Sequence, residues 1–334
     1  MLPEAVLTEL LEHQLLPPAQ AERIRQDEAT RPFSLHRELR LLLYLGIVLL
    51  SGGLGVLIYQ HINEIGHGVV VAAITLLMLG CFGYAARHRP PFTWAEAPRA
   101  GFLPDYALLL GCLLFITLET YLQVQYSFFG TRYGLVTLLP AGLFLGLAYW
   151  FDHRGVLAMG ITALASWVGV TIQPLSAFAT NNFWHSRLST AAIGLGLGLM
   201  AAGIASERLG RKAHFAFTYL SLGSNLLLLA ATATLLDFTP GPDSLPPALL
   251  VLLILGVCAA LIWHARRTHS YLFLLMGVGY AYTAVTYVVV RFLVATADYG
   301  HDGGVFMLLF LYVPLSAVGV ILFFVNIKKI LGLR

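Results

Sequence analysis

Ten uninterrupted apolar runs, each long enough to cross a bilayer, fill nearly all of the chain after residue 40. The first reads LLLYLGIVLLSGGLGVLIY (Leu41 to Tyr59) and the last VFMLLFLYVPLSAVGVILFFV (Val305 to Val325). A hydrocarbon core about 30 Å thick needs about 20 helical residues to span it. Only helices or closed barrels satisfy their own backbone in lipid, and runs without polar alternation mean helices. The expected fold class is therefore all-α, a polytopic membrane helix bundle of about ten transmembrane helices. Composition agrees: 11% of residues are charged, against about a quarter in soluble proteins.

The placement of charge predicts the orientation. Lys and Arg on alternate sides of the ten runs number seventeen against three, the three being Arg132, Arg187 and Arg291. Cytoplasmic loops carry the excess of Lys and Arg, so both termini are expected to be cytoplasmic. The N-terminus lacks the basic stretch and short apolar core of a signal peptide. With short loops and no organelle-targeting pattern, a bacterial-type inner membrane is the expected location. Cys81, Cys112 and Cys258 lie inside apolar runs, too dispersed for a disulfide framework or a zinc site, and read as small buried hydrophobes.

Residues 1–38 read as a cytoplasmic helical hairpin, and residues 39–334 as the transmembrane domain. LPEAVLTELLEHQLL is a helix opened by Pro3, with Leu2, Val6, Leu7, Leu10 and Leu11 on one stripe. Pro17-Pro18 ends it, and AQAERIRQDEA resumes as a more polar second helix. A hairpin this small buries too little surface to stand alone. It is expected to pack on a partner copy, a cytoplasmic protein, the loops or the membrane surface. Seven acidic residues offset its four arginines, which argues against nucleic acid or anionic lipid as its partner. The leucine pattern Leu7, Leu10, Leu11, Leu15, Leu16, the polar helix Ala19 to Glu28 and the Arg-rich entry into the membrane helices resemble an uncharacterised bacterial family of predicted membrane proteins. The N-terminal portion of that family is a domain of unknown function. The resemblance implies an architecture and brings no activity, cofactor or catalytic residue.

Polar side chains within the membrane are costly and point to function. Glu119, in the third run, is the one acidic residue well inside an apolar segment, with Gln123 and Tyr126 on its face. In the ninth run Tyr280, Thr283, Tyr287 and Arg291 share a face at spacings of three, four and four. A Glu119–Arg291 ion pair is the expected link, because a planar guanidinium suits a carboxylate and each charge lowers the other's burial cost. The alternative has Arg291 snorkelling to the headgroups and Glu119 protonated. Asn225, with Thr218, Ser221 and Thr232, lines the seventh run, and Thr162, Ser166 and Gln173 line the fifth. Convergence of these stripes would make a polar cavity opening outward. Pro140 and Pro314 fall inside runs, and Gly142-x-x-x-Gly146 and Gly194-x-x-x-Gly198 predict close helix approach.

The outer loops carry His61, Glu64 and His67, then Asp298, His301 and Asp302. These could ligate a divalent metal but match no recognised signature, and they read first as solvated loop polarity. Ser51 in SGGLG has no general base placed near it, so an intramembrane serine hydrolase is rejected. No cofactor is expected. The favoured function is a small-solute transporter or solute-binding protein. The alternatives are a sensor or scaffold acting through the hairpin, and an enzyme acting on lipid-linked substrates at the outer face.

Overall fold

The computed structural model describes residues 17, 20–22, 41–50, 52–53, 56, 66–97, 101–130, 132–172, 186–237, 245–297 and 302–330. The chain divides into two compact units, Met1–Gly66 and His67–Arg334. In the first, the Pro17 carbonyl accepts from the backbone N–H groups of Gln20 and Ala21, starting a helical turn after the proline pair. Leu41–Leu50 forms a short apolar helix with exposed leucines. Most of the expected hairpin, and its boundary at residues 38 and 39, lie outside the described residues.

The second unit is all helix among its described residues, apart from connections. Its elements are α1 (His67–Arg87), α2 (Phe102–Tyr126), α3 (Tyr133–Phe151), α4 (Arg154–Ile172), α5 (Ser186–Leu209), a 3-10 turn (Ala213–Phe215), α6 (Ala216–Leu236), α7 (Pro247–Thr268), α8 (Tyr271–Ala297) and α9 (Asp302–Ile330). Eight helices among the described residues are long and apolar enough to cross a membrane. They correspond to the second through ninth runs. The first run is described only in part, and the tenth lies within α9, whose apolar stretch Phe310–Phe323 is shorter. The fold is thus a polytopic all-α helix bundle.

Consecutive helices pair as four hairpins: α1 with α2, α3 with α4, α5 with α6, and α7 with α8. Two apolar cores hold these hairpins together. One gathers Leu108, Cys112, Phe144, Leu157, Phe215 and Tyr219, and the other Leu227, Leu228, Ile254, Cys258, Phe273 and Leu274. Helix α6 supplies residues to both and is the central element. Half of its span is buried, against 22–33% for the other seven. Outward faces remain apolar, as a lipid-solvated surface requires, with Val124 78% and Leu315 75% exposed.

The close helix contacts use different glycines from those the sequence motifs suggest. Gly142, Gly146, Gly194 and Gly198 each face open space. The α5–α6 crossing is made instead at Gly196, where a Cβ would lie 2.7 Å from the Gly223 carbonyl oxygen. Gly160 meets the Leu145 backbone across α3–α4, and Gly277 meets the Cys258 carbonyl across α7–α8. A four-residue glycine spacing defines a face, but it does not say whether a neighbour sits on that face. Cys112 and Cys258 are buried free thiols and Cys81 is half-buried, as expected.

Candidate functional site

Helix α2 turns one stripe inward. Leu108, Cys112, Phe115 and Glu119 follow at spacings of four, three and four, the period of a single helix face. The first three residues pack in the apolar core, and Glu119 extends their line by one turn. Its side chain is 5% exposed, and neither carboxylate oxygen has a hydrogen-bond partner. An ionised carboxylate in such surroundings is costly unless a cation or a proton meets it.

The expected ion pair with Arg291 does not form. Helix α2 packs on α1, α3 and α4, whereas α8 packs on α6, α7 and α9. Arg291 is exposed, consistent with a long side chain reaching toward the headgroups. The stripes of α2 and α8 therefore face different neighbours and do not converge on one cavity. Gln123 is used locally: its amide donates to the Gly130 carbonyl at 3.0 Å and its oxygen accepts from the Phe129 N–H at 2.9 Å. It thus closes the loop between α2 and α3.

The structure does bring Asn225 and Tyr280 together across α6 and α8, with the Tyr280 hydroxyl 3.4 Å from Asn225 Oδ1. Tyr287 packs on the second core. Thr283, Thr162 and Ser166 return their hydroxyls to the carbonyl four residues earlier, the usual economy of membrane helices. Ser221 bonds to the Thr218 carbonyl, while the buried Thr232 hydroxyl has no partner. Gln173 and Ser51 lie outside the described residues.

Of the metal candidates, His61, Glu64, Asp298 and His301 lie outside the described residues, as does the side chain of Asp302. His67 opens α1 with both ring nitrogens engaged. Nδ1 is 2.7 Å from the Tyr121 hydroxyl, and Nε2 is 3.1 Å from the Gln125 amide nitrogen. If that amide donates, Nε2 must accept and Nδ1 carries the proton given to Tyr121. Among the described residues no group of three or more His, Cys, Asp or Glu is placed to hold a metal.

A second polar cluster lies at the end of the bundle where the chain's Lys and Arg concentrate. Asp152 caps α3 in the left-handed conformation (φ 59°), which Asp tolerates better than most residues. Its Oδ1 accepts from Lys212 Nζ at 2.8 Å and from His214 Nε2 at 2.6 Å, and its Oδ2 accepts from the Ala97 N–H at 2.6 Å. These side chains are only 1–7% exposed. Burial pushes the Asp152 carboxyl up, but the Lys212 and Ala97 hydrogen bonds and the charges of His214 and Lys212 outweigh it. The carboxyl is held below its ordinary value. Lys212 is itself left-handed (φ 50°) and held from several sides. Its N–H donates to the Trp94 carbonyl at 2.7 Å, and its carbonyl accepts from Phe215 N–H and from Ser206 Oγ. A strained backbone persists where its surroundings over-determine it.

Residues 8–157 match a family model described as "Predicted membrane protein (DUF2157)". The DUF2157 match covers α1 to α3 and the first turn of α4, under half the chain. It includes Glu119 and Asp152 but neither Lys212 nor His214. It agrees with the resemblance drawn from the N-terminal leucine pattern and takes in the first helices of the bundle. No curated protein and no solved structure matches the chain.

Sequence reasoning missed the Asp152 cluster. The signal was present in LAYWFDHRG and GRKAHF, where an acid, a lysine and a histidine stand at the ends of apolar runs. Reading every loop cation as a solvated topology marker hid it.

Proposed function

We propose that this membrane protein is a small-solute transporter in which Glu119 is the group that meets the coupling proton or the cationic solute. The observation that supports this reading is the buried, unpartnered Glu119 carboxyl on the core-facing stripe of α2. Arg291 does not neutralise it, so a mobile cation is the missing partner. The pathway runs beside α2 and opens at the end carrying Gln123 and the His67–Tyr121–Gln125 cluster, where the helix is most polar.

The test uses the purified full chain in proteoliposomes with a pH-reporting dye inside, challenged with a panel of small amines, amino acids and organic cations. At least one class is expected to drive proton movement or its own accumulation. Glu119→Gln should lower that signal by about tenfold or more, in line with losing a proton-transfer group. Asn225→Ala, on α6 beside Tyr280 of α8, should leave most of it. Equal transport by wild type and Glu119→Gln, independent of pH, would overturn the role of Glu119.

A further inference from the structure

The basic end of the bundle carries a built surface that the transport reading leaves unused. Residues 88–97 form a strap after α1, pinned at two points: the Trp94 carbonyl accepts from Lys212 N–H, and the Ala97 N–H donates to Asp152. Ser206 Oγ donates to the carbonyls of Arg211 at 2.6 Å and Lys212 at 3.0 Å, fixing the turn opposite. On this frame the Arg211 guanidinium lies 5.2 Å from the Trp94 ring centre, and Arg89 lies 4.9 Å from that of Trp150. Trp94 is 51% and Trp150 56% exposed, and Phe92, 47% exposed, meets Trp94 edge-on.

The charges are divided. Lys212 is matched by Asp152, and Arg154 by Glu96 at 2.9 Å. Arg89 and Arg211 instead face indole rings. A guanidinium stacked on an aromatic ring keeps its in-plane N–H donors for a bidentate phosphate contact. Exposed indoles at helix ends settle at the level of lipid headgroups. This surface sits where α1, α3 and α5 end and α6 begins, and the ends of membrane-spanning helices meet the headgroup region.

We propose that the face formed by the strap, the α3 end and the α5–α6 turn binds the phosphate of an anionic phospholipid, with Arg89 and Arg211 as donors and Trp94 and Trp150 flanking the acyl boundary. A zwitterionic headgroup brings its own cation toward the two guanidiniums and is disfavoured. A soluble anion would leave the aromatic rim in water.

The experiment is native mass spectrometry of the full chain released from detergent, titrated with phosphatidylglycerol or with phosphatidylcholine. Wild type is expected to retain phosphatidylglycerol preferentially. Arg89→Gln and Arg211→Gln should each lower that preference about fivefold, the effect of one basic residue near an anionic surface. Arg154→Gln removes the same unit of charge from a residue already matched by Glu96, and should leave the preference within about twofold. A preference unchanged in the two glutamine variants, or lowered as much by Arg154→Gln, overturns the site and leaves only bulk charge. Arg89→Lys and Arg211→Lys read the same question if the glutamine proteins fail to fold. They keep charge but lose the planar fork, so the preference should fall by about twofold or more. A wild-type value there overturns the stacked geometry.

Discussion

At the scale of single residues, the two buried carboxyls show how partners decide cost. Asp152 receives hydrogen bonds from a lysine, a histidine and a backbone amide, whereas Glu119 receives none. Removing the Asp152 charge strands Lys212, which is 1% exposed on its side chain. Asp152→Asn is expected to destabilise the folded protein by about 3 kcal/mol, the lower range for breaking a buried pair. Asp152→Asn combined with Lys212→Met should recover most of that loss, because a lone buried charge costs more than no charge. Thermal unfolding in detergent measures both. The pH dependence follows from the lowered Asp152 value. The folded state holds this proton more weakly than the unfolded chain, so the contribution is full above the unfolded value of about 3.9 and is lost as pH falls through the lower folded one. Wild type should show that acid-side loss, and Asp152→Asn should lack it. Neither carboxyl's circumstances are legible in sequence alone. Glu119 stood out because acids are rare inside apolar runs. Asp152 did not, because its lysine lies 60 positions along the chain.

At the scale of elements, spans were readable and contacts were not. Hydropathy is a property of each segment by itself, so eight of the ten runs reappear as long apolar helices. Which face of a helix meets another depends on the neighbour, and here the glycine and polar stripes diverged from expectation. Glu119 does lie on a core-facing stripe, but the core is that of α1, α3 and α4 rather than α8. The α5–α6 crossing gives a direct check. Gly196→Val would place Cβ against the Gly223 carbonyl and the Leu227 backbone, which cannot give way as a flexible side-chain tip can. It should cost about 1–3 kcal/mol by overpacking. Gly194→Ala, two residues earlier and facing open space, should be neutral or slightly stabilising, since Ala favours helix over Gly. Comparing the two variants by thermal unfolding in detergent separates a packed glycine from a merely spaced one. Equal losses would mean that α5 meets its neighbour through a different face.

At the scale of the whole molecule, the asymmetry of charge and the pairing of helices support each other. Each hairpin brings its two ends to one level, so the connections α1–α2, α3–α4, α5–α6 and α7–α8 all lie at the same end of the bundle. Those connections and the helix ends that flank them hold Arg89, Arg154, Arg211, Lys212, Arg266 and Arg267. The intervening α2–α3 connection holds Arg132, one of the three cations counted on the other side. Not every cation at the basic end is unmatched: Lys212 is buried on Asp152, and the exposed Arg154 is paired with Glu96. Subtracting those two still leaves fifteen against three, so the bias survives the structural roles of individual cations. Orientation follows Lys and Arg counts in short loops rather than net charge. Both termini are accordingly expected on the cytoplasmic side, an arrangement that requires an even number of crossings: the eight long helices plus the first and last runs. Reporters fused after Arg334 and before Met1, read for cytoplasmic-only against exported-only activity, should both give the cytoplasmic signal. A reporter inserted at Gly130, between α2 and α3, should give the opposite one. Opposite signals from the two termini would mean that either Leu41–Tyr59 or the α9 segment does not cross, and the count would fall to an odd number.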